Sequence, residues 1–316
     1  MEWTHPFDTE PVSRMRELDR RAAESTSFKP AASGRSPLSV GGTPVLEPIC
    51  VVGRGRLGAP LADALRRAGL TVAGPWGRAD LRARARAARA AEVVLLCVPD
   101  GEIAGVAAAL HGAAPFVGHT SGATPLAALA GAGDAVGGLF GLHPLQTFTG
   151  TEGDPAARLR GAGAAIAGST PAAEAVAHGL AQRLGMEPLA IDDSRRAAYH
   201  AAASIASNFL VTLQDAAETL ADAAGMSPSD ARRALAPLVR VTVDNWAELG
   251  PQRSLTGPVA RGDWETVDRH RAAVAGADPT LAPLFEALVE RTHALAARGE
   301  GVAARSTASV ATGRPA

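Results

Sequence analysis

Lysine is almost missing from this chain of 316 residues. Lys29 is the one lysine among its 31 lysine and arginine residues, so no lysine is available in the folded body to act as a catalytic acid. Cysteine is nearly as scarce: Cys50 and Cys97 lie in apolar runs, and no metal-ligand spacing accompanies them. We interpret both as small buried side chains in a reducing, cytoplasmic environment.

A marked net charge and a membrane-spanning run are lacking as well. The formal net charge is −1, which gives no general attraction to nucleic acid or to membranes. Residues 1–44 are charged, broken by Pro and Gly, and without the apolar segment of a signal peptide. We interpret residues 1–44 and 301–316 as disordered or loosely packed tails. Hydrophobic residues make up 47% of the chain and aromatic ones 4%, so we expect a core of Ala, Leu and Val.

Short apolar strands alternate with helical patterns over residues 45–193. A strand at Pro48–Val52 is followed by a helix over Leu57–Ala68, with Gly69 as its stop. Continuous apolar strands are typical of a parallel sheet that helices cover on both faces. The alternation predicts an α/β domain with a mainly parallel, doubly wound sheet, the Rossmann architecture. Further strands are predicted at Leu70–Gly74, Glu92–Val98, Phe116–His119, Ala135–Phe140, Ala164–Ala167 and Pro188–Ile191.

Residues 194–300 carry helical patterns alone, which predicts an all-α domain. Ser194–Ala224 contains no Gly or Pro and is predicted as one long helix. Pro237 should kink or divide the helix that ends at Gly250. The predicted N-caps of the later helices are Ser227, Asp263 and Asp278.

A glycine-rich turn joins the first strand to the first helix. Gly53-x-Gly55-x-x-Gly58 has the strand before it and the helix after it that a dinucleotide-binding motif requires. Gly53 permits the tight turn, Gly55 lets the backbone approach a pyrophosphate, and Gly58 lets the helix pack on the strand. The helix N-terminus adds N–H groups and a partial positive charge. The predicted cofactor-binding residues here are Gly53, Arg54, Gly55, Arg56, Leu57 and Gly58; the alternative is a Rossmann scaffold that has lost its ligand.

The end of the second strand favours NADP(H) over NAD(H). An NAD site places an Asp or Glu there to bind the ribose hydroxyls, and this sequence has no carboxylate before Asp80. Arg78 is placed to pair with a 2′-phosphate, with Arg54 or Arg56 assisting. The alternative is that these arginines reflect only the abundance of arginine in the chain.

Polar residues follow the later strands, at the sheet edge where a Rossmann domain keeps its chemistry. Val98-Pro99-Asp100 ends the third strand, and Asp100 either caps the next helix or forms a wall of the nicotinamide pocket. The turn Ser121-Gly122 either holds a substrate carboxylate or the nicotinamide amide, or is plain turn chemistry. His143, just after the fifth strand, is either a site residue or a structural hydrogen-bonding group.

Two features of the helical domain complete the candidate site. On one helix, His200, Ser204 and Asn208 at i, i+4 and i+8 form a polar stripe among apolar neighbours that bury most of the helix. Such a stripe either faces a cleft or joins a satisfied network between helices, and Tyr199 is expected on a different face. Arg261, in a loop dense in special residues, either binds a substrate carboxylate or forms a surface salt bridge.

Together these segments resemble the bacterial proteins that join a Rossmann-like domain to a domain of unknown function numbered 2520. The resemblance covers roughly residues 48–297. It rests on Gly53-x-Gly55-x-x-Gly58, Val98-Pro99-Asp100, His119-x-Ser121-Gly122, Leu142-His143-Pro144-Leu145-Gln146-Thr147-Phe148, Tyr199-His200-Ala201-Ala202 with Ser207-Asn208, and Leu255-Thr256-Gly257-Pro258-x-Ala260-Arg261-Gly262-Asp263. The family is similar in layout to 6-phosphogluconate dehydrogenase, pyrroline-5-carboxylate reductase and ketopantoate reductase. That layout implies a catalytic cleft between two domains and a homodimer formed through the helical one.

The resemblance implies an NADPH-dependent reductase of a small keto acid, with ketopantoate, in pantothenate and coenzyme A synthesis, as the named candidate. Ordinary ketopantoate reductases place a Lys four residues before an Asn, where Ser204 and Asn208 stand here. With lysine absent, we expect His200 to be the general acid, Ser204 or Asn208 to hold the carbonyl oxygen, and His143 to be the second candidate acid. The alternatives are an imine reductase or dehydrogenase of the pyrroline-5-carboxylate reductase type and a non-catalytic NADP-binding regulatory protein.

Overall fold

The computed structural model describes residues 46–133 and 137–311. The tail predicted at residues 1–44 lies outside the described residues, as does the start of the strand predicted at Ala135–Phe140. At the other end, a helix runs from Ala282 to Ala311, so it continues past residue 300, where the sequence predicts a tail. The predicted boundary between residues 193 and 194 falls in a short 3-10 turn, Asp193–Arg195.

Seven strands form one sheet in the first part of the described chain. They are β1 (Ile49–Val52), β2 (Val72–Trp76), β3 (Val93–Leu96), β4 (Phe116–His119), β5 (Gly138–Pro144), β6 (Gly163–Gly168) and β7 (Glu187–Ala190). Their order is β2-β1-β3-β4-β5-β6-β7. Neighbours are parallel except β5 and β6, which are antiparallel. The predicted α/β domain with a mainly parallel sheet is confirmed.

Two strands lie further along the chain than the apolar pattern predicts. β2 is shifted by two residues from Leu70–Gly74, and β5 extends to Pro144, so that His143 lies inside the strand and not after it. The prediction that His143 follows the strand was wrong because antiparallel pairing with β6 continues that far, with His143 opposite Ala165. Pairing partners of this kind override local propensity.

Four α-helices connect the strands and cover the sheet. They are α1 (Gly58–Arg67), α2 (Leu81–Arg89), α3 (Ile103–Ala109) and α4 (Pro171–Arg183). Because β1 is apolar at every position, both of its faces are buried. Val51 packs on one face in the same cluster as Leu61 of α1, and Cys50 packs on the other face with Ile103 of α3. The two clusters give the doubly wound, three-layer arrangement.

The second part of the described chain is helical. Its α-helices are α5 (Arg196–Ala206), α6 (Asn208–Ala223), α7 (Pro228–Leu249), α8 (Pro251–Ser254), α9 (Pro258–Arg261), α10 (Trp264–Ala277) and α11 (Ala282–Ala311). The predicted N-caps at Ser227, Asp263 and Asp278 are confirmed, since each side chain accepts a backbone N–H. Pro237 lies inside α7 without dividing it.

The single helix predicted over Ser194–Ala224 is wrong. α5 ends at Ala206 and α6 begins at Asn208, with Ser207 between them at φ −120° and ψ −73°. Ser and Asn compete with helical backbone bonds through their own side chains, so a Ser-Asn pair favours a helix end over a helix interior.

Across the described residues, no helix is long and apolar enough to cross a membrane. The same part of the chain holds no group of three or more His, Cys, Asp and Glu side chains that could bind a metal ion.

Candidate functional site

The glycine-rich turn follows β1 and leads into α1, as predicted. Gly53 has φ +115°, a left-handed conformation that favours glycine, and a Cβ there would overlap the carbonyl oxygen of Cys97. A Cβ on Gly58 would overlap the carbonyl oxygen of Gly53. These two glycines are therefore required by the close packing of the turn itself.

Gly55 has a different environment. No heavy atom lies within 4 Å of the place that a Cβ would take, so this stretch of backbone faces open space. Leu57 is the N-cap residue of α1, and no side chain caps the helix. An uncapped helix N-terminus beside open backbone is suited to a pyrophosphate. The residues present therefore fit a dinucleotide.

Four charged side chains gather beyond the end of β2. Arg78 is paired with Glu102, and Arg54 is paired with Asp80, whose carboxylate also accepts the N–H of Gly77 at 2.8 Å. The Arg78 side chain is 82% exposed. Two of the three arginines predicted to favour NADP(H) thus lie near one edge of the sheet, each with a carboxylate partner that was not predicted.

A cavity of about 310 Å³ lies at the carboxyl ends of β1, β3 and β4 and beside β5. It is lined by residues of the glycine-rich turn, the strand ends and α5. The predicted site residues in the lining are Arg56, Leu57, Asp100, Ser121, Gly122, His143 and His200, and Thr120, Pro144, Gln146 and Phe148 complete it. The structure therefore brings predicted cofactor, substrate and catalytic residues to one place.

Asp100 forms part of the cavity wall and caps no helix. It is the first residue of a 3-10 turn, Asp100–Glu102, whose N-cap is Pro99, and no side chain caps that turn or α3. Of the two alternatives for Asp100, the structure favours the pocket wall. Val98 and Pro99 precede Asp100 in the sequence, but neither residue lines the cavity.

The Ser121-Gly122 turn uses its hydroxyl for its own structure. Ser121 Oγ accepts the N–H groups of Ala123 at 3.2 Å and Thr124 at 2.9 Å, and it donates to Thr124 Oγ1. The backbone N–H of Ser121 donates to Nδ1 of His119 at 3.2 Å. The side chain of Ser121 is thus engaged in turn chemistry, although the residue lines the cavity.

Two imidazoles stand beside Gly122. A Cβ on Gly122 would lie 2.6 Å from Nδ1 of His200 and 2.9 Å from Nε2 of His143, so glycine leaves the room that both rings occupy. The two ring centroids are 5.9 Å apart. Nδ1 of His200 is buried and has no hydrogen-bond partner within the described residues.

Tyr199 contacts the site, contrary to the prediction that it lies on a different face. Its hydroxyl is 2.9 Å from Nδ1 of His143, and the two rings meet edge to face. Tyr199 and His200 are adjacent on α5, and both reach His143 because its ring lies between them. A lone tyrosine next to a candidate histidine is the signal by which the sequence could have included it.

Burial sets the charge state of the histidines at this edge. Burial, together with the neighbouring His200 and Arg196, lowers the pKa of His143 to about 4. Burial and the charge of Arg196 likewise lower the pKa of His119 to about 4. Both imidazoles are therefore neutral at pH 7.

Arg196 is a buried residue that sequence reasoning missed. It is 2% exposed, Nε pairs with Asp193 at 2.6 Å, and Nη1 donates to the carbonyl oxygen of Ser121 at 3.2 Å. A side chain on Gly141 would overlap its guanidinium. Arg196 shares a helix face with Tyr199 and His200 at i, i+3 and i+4, and that spacing is the signal that could have identified it.

Other predicted residues lie outside the cavity. The helix break at Ser207 separates Asn208, which starts α6 and is exposed, from His200 and Ser204 on α5. Neither Asn208 nor Ser204 lines the cavity. Arg261 ends α9, is exposed and is also absent from the lining. Of the predicted stripe, only His200 reaches the candidate site.

Comparison with protein families confirms the resemblance. Residues 163–292 match the family described as Domain of unknown function (DUF2520). This segment begins at β6 and ends within α11, so it contains Arg196, Tyr199 and His200. A comparison of the sequence with curated proteins gives no match.

Solved structures share the fold at low sequence identity. Protein TM1727 from Thermotoga maritima is 22% identical with a TM-score of 0.63, covering 80% of this chain and 99% of its own. A Bacteroides fragilis protein, BF3122, provisionally described as an NADP oxidoreductase, is 22% identical with a TM-score of 0.62, covering 78% and 97%. The reductive aminase from Aspergillus terreus, solved with NADPH and ethyl-5-oxohexanoate, is 17% identical with a TM-score of 0.55, covering 77% and 92%.

Proposed function

We propose that this protein is an NADPH-dependent reductase of a small carboxylic acid that carries a ketone or an imine, with ketopantoate as the first candidate substrate. The observation that carries the proposal is one cavity in which Arg56 and Leu57 of the glycine-rich turn meet His143 and His200. Ligands of doubly wound sheets bind at this edge. A volume of about 310 Å³ suits a small acid.

The glycine-rich turn and the N-terminus of α1 would hold the pyrophosphate of NADP(H), and Asp100 would form a wall of the nicotinamide pocket. When bound, the reduced cofactor supplies a hydride. The oxygen of a ketone substrate gains negative charge as its carbon is reduced, and that charge must be neutralised by a proton donor. His200 and His143 are the imidazole donors in the cavity lining.

Cofactor preference gives a sharp test at the end of β2. Arg78 would exchange Glu102 for a 2′-phosphate, since a guanidinium pairs with either anion. We expect Arg78→Ala to raise the Kd for NADPH at least tenfold and to leave the Kd for NADH within twofold. Glu102→Gln removes the competing carboxylate and should tighten NADPH binding. Equal effects of Arg78→Ala on both cofactors would show that this arginine does not read the 2′-phosphate.

The activity is tested by following NADPH oxidation with a panel of keto acids and cyclic imines, ketopantoate first. Imines belong in the panel because the fold is shared with a reductive aminase.

We expect His143→Ala and His200→Ala each to lower kcat at least a hundredfold on a ketone, with exposed His270→Ala as the matched control. A protonated imine needs less help from an enzyme acid, so small effects on an imine substrate would favour the imine reductase. Cofactor binding without turnover of any compound would favour the non-catalytic alternative.

We further propose that the helical part forms a homodimer. The supporting observation is a set of large apolar side chains on its helices that no described residue covers: Ile205, Phe209, Val211, Leu238, Val241 and Trp246. Patches of this kind mark interaction surfaces. Val211→Glu should shift the sedimentation coefficient from that of a dimer to that of a monomer. The exposed substitution Arg240→Glu on α7 serves as the charge control, and a wild-type monomer at high concentration would contradict the proposal.

A further inference from the structure

Tyr199 is the single tyrosine of the chain, and its hydroxyl has one hydrogen-bond partner among the described residues. That partner is Nδ1 of His143 at 2.9 Å. Tyr199 is partly buried at the start of α5, whereas His143 lies in β5 and lines the cavity. The tyrosine therefore binds Nδ1 of His143, whereas the other ring nitrogen, Nε2, is the one near Gly122.

The relative acidity of the two groups in this hydrogen bond decides which nitrogen of His143 carries a proton. Burial, His200 and Arg196 keep the ring neutral at pH 7, so it carries one N–H. A phenol is a stronger acid than a neutral imidazole, and an unprotonated ring nitrogen is a good acceptor, so we assign the Tyr199 hydroxyl as the donor and Nδ1 as the acceptor. The remaining proton is then on Nε2, the atom 2.9 Å from the Cβ position of Gly122 at the cavity.

We propose that Tyr199 and His143 form a proton relay that ends at the substrate in the cavity. This inference rests on the proposed reductase function. In it, His143 is the residue that touches the substrate, and Tyr199 acts through His143.

The relay moves two protons in one direction. As the substrate oxygen gains charge, it takes the proton of His143 Nε2, and the N–H bond leaves its electron pair on the ring. Nδ1 then takes the hydroxyl proton of Tyr199, so the ring stays neutral and the negative charge passes to the tyrosinate oxygen. After product leaves, water gives a proton to Nε2 of His143, and Nδ1 returns its proton to the tyrosinate, which restores the starting tautomer. The sum is one proton from solvent to the substrate, with no change in any residue.

The surrounding charges favour this route over a histidinium donor. With a pKa of about 4, His143 is protonated in about one molecule in a thousand at pH 7. The groups that face His143 are Tyr199, His200, His119, Arg196 and Asp100. Burial, the larger effect, raises the pKa of Tyr199. The positive charge of Arg196 lowers that pKa and so stabilises the tyrosinate.

Tyr199→Phe tests the relay, because it removes one hydroxyl and keeps the ring. We expect kcat to fall about a hundredfold, with the alkaline limb of the kcat–pH profile lost. In the wild type, that limb should coincide with the tyrosinate absorbance change, which comes from Tyr199 alone because the chain has one tyrosine. Thr219→Val, which removes a hydroxyl bonded within α6, is the matched control and should change neither property.

A second measurement on the wild type does not depend on activity or on the variant folding. The ¹⁵N chemical shifts of His143 at pH 7 should show the tautomer with hydrogen on Nε2. A proton on Nδ1 would overturn the relay, as would a Tyr199→Phe enzyme with the kcat and pH profile of the wild type. If the wild type reduces no carbonyl or imine at all, the proposed function fails and the relay fails with it. Undiminished turnover by Tyr199→Phe overturns the relay alone.

Discussion

The sheet and the helices after residue 195 bury their residues very differently. Every residue of β1 and β3 is buried. In α5, α6 and α7 together, Arg196 and Ala231 are the buried residues, and large apolar side chains such as Phe209 and Val211 are exposed by 56% and 70%. The sheet therefore has a complete core of its own, whereas the helices have an apolar surface left to cover.

The candidate site lies where these two regions meet. The sheet supplies the glycine-rich turn, Gly122 and His143, while α5 supplies Tyr199 and His200. The contact that joins them is polar, because Arg196 and Asp193 bind the turn that follows β4. Stability therefore comes mainly from the sheet, and the helical part completes the site.

The largest effect is expected within the sheet. Gly53→Ala would place a Cβ against the Cys97 carbonyl at φ +115°, and we expect it to lower the free energy of unfolding by more than about 3 kcal/mol. Urea denaturation measures the loss. Gly55→Ala is the matched control, since nothing lies within 4 Å of its Cβ, and it should keep wild-type stability. A Gly53→Ala protein as stable as Gly55→Ala would contradict the geometry of the turn.

The next effect concerns the contact between the regions. Arg196→Met should cost about 3 kcal/mol, because it leaves the turn carbonyl of Ser121 and the carboxylate of Asp193 without their buried partner. The exposed pair of Arg232 and Glu218 offers the control: Arg232→Met should cost less than about 1 kcal/mol. Similar losses in the two variants would mean that the buried ion pair does not join the sheet to α5.

Acid should weaken the sheet edge through its neutral histidines. His119 is fully buried and its pKa is lowered to about 4, so the unfolded chain binds a proton more readily. Stability should therefore be greatest above pH 6.5 and fall as pH is lowered toward 4, by up to about 3 kcal/mol for this residue. His119→Asn should reduce the slope of the profile measured by thermal unfolding, and His143, whose pKa is also lowered to about 4, should account for slope that remains. A profile in which stability rises toward pH 4 would contradict the assigned neutral state.

The smallest effect is expected on the helices. At concentrations where the chain is a monomer, Phe209→Ala should change the free energy of unfolding by no more than about 0.5 kcal/mol, since the side chain is exposed. Leu95→Ala in β3 should cost about 2–5 kcal/mol. Comparable losses at the two positions would show that the helical surface is buried within one chain, and the comparison of the two regions would no longer hold.

Sequence patterns predicted the sheet better than the site. β1, β4 and the glycine-rich turn follow from continuous apolar runs and glycine spacing, which are local signals. The stripe of His200, Ser204 and Asn208 assumed an unbroken helix, and Ser207 ends it. Tyr199 and Arg196 belong to the site through contacts with His143 and Ser121, which are distant in sequence. Such contacts follow from the packing of α5 on the sheet and not from spacing along the chain.

Equilibrium binding of NADPH, followed by its fluorescence in the wild type and in Gly55→Ala, tests whether the glycine-rich turn holds a dinucleotide. We expect one NADPH per chain, displaced weakly by NADH, and a Kd at least tenfold higher in Gly55→Ala, whose fold is intact but whose Cβ occupies the open space beside the backbone of the turn. No saturable binding by the wild type, or the same Kd in both proteins, would contradict the central claim that this turn holds a phosphorylated dinucleotide.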